Sequence, residues 1–292
     1  MDDRAGLARA AQGAALTYMA RGQFDLARTA LDGAIRDAEG GQMAAEHAAA
    51  LATLAELDRL EGRIAPALEH ARRAADLFTA QEDERGRAES ILVAAQALLD
   101  VGNHAAARGA IAPFVEQPPA SGEQAVRLLT VRSALALADA DPTTARRLAA
   151  QASEAARATH GKAIQVQAAM ALVDAALAAG DRRAAAAAAR EARDELGRYA
   201  SVPLRLRMAE AALAAGMPDA IADYRTARAT LARLPSWGRA FRLHAAAAGV
   251  DGDAARAARQ AWMELRARTP AEHHAALDAQ ARALGIDTED TP

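Results

Sequence analysis

The chain has 292 residues, a formal net charge of −3 and a pI near 6.2, with 52% hydrophobic residues, only 3% aromatic residues and no cysteine. The lack of thiols excludes a disulfide framework and thiolate chemistry, and the balanced charge speaks against nucleic acid, whose phosphates call for a basic excess. The longest apolar run, Ala184 to Ala189, is too short to span a bilayer; with the acidic opening Met1-Asp2-Asp3-Arg4, the expectation is a cytoplasmic chain without membrane contact.

Roughly 30% of the residues are alanine, the best helix former and one with little area to bury. Such a core gains stability from close helix approach rather than from large anchors. Along the chain a short turn recurs at Gly22, Gly62, Gly102, Ala140, Gly180, Gly216 and Gly252, and subtraction gives spacings of 40, 40, 38, 40, 36 and 36 residues. Between turns the apolar residues keep the helical period, as in Leu16, Met19 and Ala20 before the first turn and Phe24, Ala27, Leu31 and Ala34 after it. Seven residues before the turns stand Ala15, Ala55, Ala95, Ser133, Val173, Ala209 and Ala245. Five after them stand Ala27, Ala67, Ala107, Ala145, Ala185, Ile221 and Ala257. Small residues at most of these places let two antiparallel helices approach closely. Glycine permits the left-handed end of the first helix, and Pro142 and Pro218 suit the first turn of the second.

One break interrupts the series. Gln117-Pro118-Pro119-Ala120-Ser121-Gly122 reads as a longer loop, or a hinge near 116–122. The last predicted helix covers Pro270 to Leu284, with Thr269 as its N-cap and Gly285 closing it. The array thus spans 1–268, a C-terminal capping helix 269–286, and an acidic tail 287–292. Terminal caps shield the open face of a stack.

This pattern resembles the tetratricopeptide repeat, whose first helix carries a small residue, a large one and then glycine, and whose second helix carries alanine twice. The first unit matches at Ala15, Tyr18, Gly22, Phe24, Ala27, Leu31 and Ala34. Later units keep the small positions and replace Tyr18 by Asp58, Leu98, Ala136 and Ala176. The resemblance implies an all-α, right-handed α-solenoid of about seven antiparallel helix pairs with a C-terminal capping helix. It also implies a non-enzymatic scaffold or adaptor that binds a protein or peptide segment in its concave groove.

Enzyme motifs fail on inspection. Gly161-Lys162 lacks both the first glycine and the hydroxyl of a phosphate loop. His273, His274 and Asp278 form the densest ligand-like cluster, and His274 and Asp278 share a helix face; the reading here is a solvated helix face, with no metal and no cofactor. The arginine doublets Arg72-Arg73, Arg146-Arg147 and Arg182-Arg183 offer a ridge for nucleic acid, but the acids interspersed among them favour a salt-bridged surface.

In the family the first helix of each unit lines the groove. Carried over by register, the positions three and six before each turn nominate Met19, Glu56, Arg59, Gln96, Leu99, Leu137, Asp174, Leu177, Glu210 and Leu213. A leucine row beside acidic and amide groups suits an amphipathic helix with some basic residues. The alternative is a regulatory sensor that binds a small molecule or a regulator protein.

Overall fold

The computed structural model describes residues 4–40, 43–116, 122–197 and 200–288. Among these residues there is no strand, and the helices fall into pairs. The pairs are α1 (Arg4–Ala20) with α2 (Phe24–Gly40), α3 (Ala44–Glu61) with α4 (Ile64–Ala80), and α5 (Glu84–Asp100) with α6 (His104–Ile111) and the stub α7 (Pro113–Glu116). They continue as α8 (Gly122–Ala138) with α9 (Pro142–Arg157), α10 (Lys162–Ala178) with α11 (Arg182–Leu196), α12 (Val202–Ala214) with α13 (Ala220–Leu231), and α14 (Trp237–Ala247) with α15 (Ala254–Ala267). A final helix, α16 (His274–Ala283), follows a short 3-10 turn. Seven helix pairs stack consecutively, each first helix lying against the first helix of the next unit.

The local signals act as the sequence suggests in most units. Left-handed backbone ends the first helix at Gly22, Gly62, Gly102, Gly180 and Gly216, and Ala140 adopts it with φ 55°. Several helices start on a side-chain cap: Asp83, Asn103, Asp141, Asp181 and Ser201 accept from the backbone N–H three residues on. Ala15, Ala55 and Ala95 on the first helices, and Ala27, Ala67, Ala107, Ala145 and Ala185 on the second, are wholly buried.

Register departs from expectation in the last units. Ile221 is exposed and Ala220 is buried in its place, because α13 begins at Ala220 with Pro218 ahead of its N-cap Asp219. In unit seven Gly252 is not left-handed: α14 already ends at Ala247, and Ala254 and Ala258 take the buried places. Thr269 does not cap a helix at Pro270. Its hydroxyl donates to Leu265 O at the end of α15, and α16 starts only at His274. The hinge expected near 116–122 lies mostly outside the described residues.

The stack coils until units five apart in sequence meet. The first turn, at Gly22, faces Val202 and Leu234; the second, at Gly62, faces Trp237 and Leu265; the third, at Gly102, faces Ala276 and Gln280 on α16. Gly62 and Gly102 need to be glycine twice over. Their φ values are 78° and 73°, and a Cβ would stand 3.0 Å from Leu265 Cδ1 and from the Ala276 carbonyl oxygen respectively. Polar bonds join the same edges. Ser236 Oγ donates to Leu60 O at 2.6 Å, and Asn103 Nδ2 lies 2.8 Å from His273 Nδ1.

Apolar packing follows the same path. One core cluster mixes Met19, Leu31 and Leu57 with Leu206, Tyr224 and Leu243, and another mixes Ile64 and Val101 with Phe241, Trp262 and Leu277. By position, α16 is the first helix of an eighth unit, seated on unit three.

Candidate functional site

Closure brings the inner faces of the first helices together, and charged residues fill them. Arg59 donates to both Glu56 oxygens at 2.8 Å and to Asp100 at 2.6 Å, and Arg242, reaching across from α14, donates to the other Asp100 oxygen at 2.9 Å. Glu210 accepts from Arg239 and lies 3.4 Å from Arg207, which in turn pairs with Asp174. Arg127 of α8 completes the belt with Glu89 of α5 at 3.2 Å. These side chains are largely withdrawn from water, with 11% exposure at Arg59, 14% at Glu210 and 19% at Arg242.

Burial alone would push the Asp100 and Glu210 carboxyls up. The surrounding arginines outweigh it, Arg242 and Arg59 at Asp100, and Arg207, Arg239 and Arg242 at Glu210, and both are held at about 2. Arg59 and Arg207 resist burial through their carboxylates and are raised. Arg239 goes the other way, to about 10, because burial and the neighbouring Arg242 and Arg207 outweigh the opposing carboxylates of Glu210 and Asp100.

The ten residues nominated from register fall into three settings. Glu56, Arg59, Asp174 and Glu210 belong to the ion-pair belt, while Met19 lies in the core and Leu213 packs against two core clusters. Gln96, Leu99, Leu137 and Leu177 are half-buried on the first helices of units three to five. Sequence reasoning missed Asp100, Arg127, Arg207, Arg239 and Arg242. A signal was available: Glu56/Arg59, Arg207/Glu210 and Arg239/Arg242 are three residues apart on first helices, a spacing that stacks charges on one face.

A second buried cluster explains one lost aromatic. Asp58, which stands where unit one has Tyr18, is fully buried; it accepts from Arg28 at 2.7 Å and lies 2.8 Å from His70 Nδ1. The His273, His274 and Asp278 group is split among three partners, Asn103, the Thr269 carbonyl and Arg266. No group of three metal-ligating side chains stands together among the described residues. Arg72 and Arg73 are ion-paired, with Glu69 and Asp76 and with Glu39. The exposed Arg146, Arg147, Arg182 and Arg183 have no such partner among the described residues. No helix of the described residues is long and apolar enough to cross a membrane.

Tyr224 and His244 form a buried pair between α13 and α14, hydroxyl to Nδ1 at 2.9 Å with the rings edge to face. Burial, helped by Arg228, pushes His244 down from 6.5 to about 4. Between those values the unfolded chain binds a proton that the folded chain refuses, so stability falls as pH drops. The full window is worth roughly 3 kcal/mol at 1.36 kcal/mol per pH unit. Urea midpoints at pH 7 and pH 4.5 should show the loss, and a His244→Gln variant should show a flatter response. Equal slopes in the two proteins would rule out His244 as the source.

Helix pairs in fixed register, left-handed turns and small residues at the crossings define a helical-repeat protein of tetratricopeptide-like build. No family model matches the chain, and no curated protein is similar to it. Among solved structures it is similar to a tetratricopeptide repeat protein from Parabacteroides merdae ATCC 43184, at 13% identity and a TM-score of 0.43, over 94% of this chain and 98% of that one. The helical-repeat architecture stands on this chain's own turn register.

Proposed function

We propose that the chain is a non-enzymatic protein-interaction module that receives an amphipathic helical segment of a partner on the inner face of units three to five. The observation that carries this reading is where closure stops. Turns one to three are covered by units six to eight, whereas turns four and five, at Ala140 and Gly180, are exposed. Leu99, Leu137 and Leu177 form a half-buried row there, with Gln96 and the 41%-exposed Asp174 beside it. Such a row provides apolar anchors flanked by polar groups that fix orientation. Asp100 and Glu210, whose carboxyls the surrounding arginines hold well below the usual carboxylate range, serve as fixed counter-charges within the belt.

Affinity capture from a lysate of the native organism tests the reading, with wild type set against a Leu137→Arg, Leu177→Arg double variant whose helicity is checked by circular dichroism. A protein retained by wild type and lost by the folded variant is the expected result. Equal retention by both would remove the groove from consideration. The second reading, regulation by a small molecule, rests on a separate cavity.

A further inference from the structure

Away from the inner face, a cavity of about 350 Å³ opens between α11, α12 and α13. That volume lies at the lower end of the roughly 300–1,000 Å³ typical of small-molecule sites. Its wall is mostly apolar: Leu206, Met208 and Met217 line it, and α11 contributes only Ala189 from its alanine run. Ala189 presents only a methyl group to this space. At its rim α11 and α13 are joined by ion pairs, Arg193 to Asp219 at 2.6 Å and to Asp223 at 3.5 Å.

The rim holds a second cation. Arg205 of α12 is exposed and lines the cavity, and its Nη1 donates to the Ala200 carbonyl at 3.0 Å. Among the side chains that the structure describes, no carboxylate pairs with it, unlike Arg193. Thr226 and Thr230 add hydroxyl groups on the α13 side. A largely apolar chamber whose mouth carries a guanidinium with no carboxylate partner among the described side chains matches one kind of ligand, an apolar chain ending in a carboxylate. Burial of the chain supplies affinity in proportion to its area, and a guanidinium takes a carboxylate through paired N–H donors. Methionine suits a pocket that must adapt to a flexible chain.

We infer that this cavity is a binding site for a medium-chain monocarboxylate, with the chain among Leu206, Met208 and Met217 and the carboxylate on Arg205. The site goes beyond the groove reading and is separate from it. A Leu137→Arg single variant, altered in a core cluster that shares no residue with the cavity lining, therefore retains it, and failure of one reading leaves the other standing.

Decanoate is the probe, kept below its micellar range and followed by isothermal titration and by thermal shift. Decanol and decylamine are the controls of matched length. The expected result is one saturable decanoate site per chain, with about tenfold weaker binding of decanol for loss of the charged contact and no binding of decylamine. Arg205→Gln should bring decanoate down to the decanol level. Ala189→Phe should fill the chamber and abolish binding of both. If Ala189→Phe fails to fold by circular dichroism, Thr230→Leu provides the same occlusion from the α13 side. No saturable decanoate binding to wild type would overturn the inference. So would decanoate affinity that is unchanged in Arg205→Gln, or unchanged in a folded chamber-filling variant.

Discussion

Replacing Asp100 with alanine is expected to lower the unfolding free energy by about 3–5 kcal/mol, the usual cost of removing one partner from a buried ion pair. Asp100 is the shared acceptor of Arg59 from unit two and Arg242 from unit seven. Without it, two guanidiniums that are largely out of water lose a common counter-charge, and repulsion between them acts across the closure. The test is urea denaturation followed by circular dichroism, with the midpoint shift read at constant slope. Substituting the whole group, Asp100→Leu and Glu56→Leu with Arg59→Met and Arg242→Met, should recover much of the loss, because an apolar replacement of both acids and both of these arginines leaves no charge stranded. A loss below about 1 kcal/mol for Asp100→Ala would mean the belt behaves as a solvated surface network.

Trp262→Ala is expected to cost a similar amount, about 3–5 kcal/mol, from lost burial and the cavity left behind. Trp262 is 1% exposed, the largest of the fully buried side chains, and it lies in the cluster that joins Ile64 and Val101 to Phe241, Leu265 and Leu277. Its loss should therefore weaken more than its own unit. Hydrogen exchange should show reduced protection at the start of α4, nearly two hundred residues away in sequence, as well as in α15. In an open solenoid, where each repeat touches only its neighbours, the effect would stay in units six to eight. Protection changes confined to those units would refute the closure as an energetic feature. The Asp100 and Trp262 substitutions lie on different layers of the same contact, one polar and inner, one apolar and at the edge.

Both experiments bear on what the bound partner would meet. A superhelix sealed over units one to three presents a fixed shape. On the proposed reading, binding to units three to five would need no closing of the coil, which would limit the ordering cost of association.

Much of the fold was legible in the chain. The turn spacing, the small residues around each turn and the helical period of the apolar residues set seven helix pairs, because helix ends and helix–helix approach depend on residues near in sequence. Where the reading slipped, at Ile221, Gly252 and Thr269, the cause was also local: in units six and seven the buried stripe moved by one residue, and Thr269 satisfied the end of α15 instead of starting α16.

The candidate site was legible only in part. Glu56, Arg59, Asp174 and Glu210 were found as members of an inward row, since register places a residue on a face. Their partners were not found, because Arg242 meets Asp100 across 142 positions, a separation over which helical register carries no information. The sequence by itself determined the repeat, its turns and which faces look inward, all properties of a residue and its helical neighbours. Only the tertiary structure decided that the coil closes between units five apart, that its inward charges neutralise one another, and that a chamber remains beside the alanine run of α11. Those outcomes depend on small rotations summed over many units, and no single stretch of the chain encodes the sum.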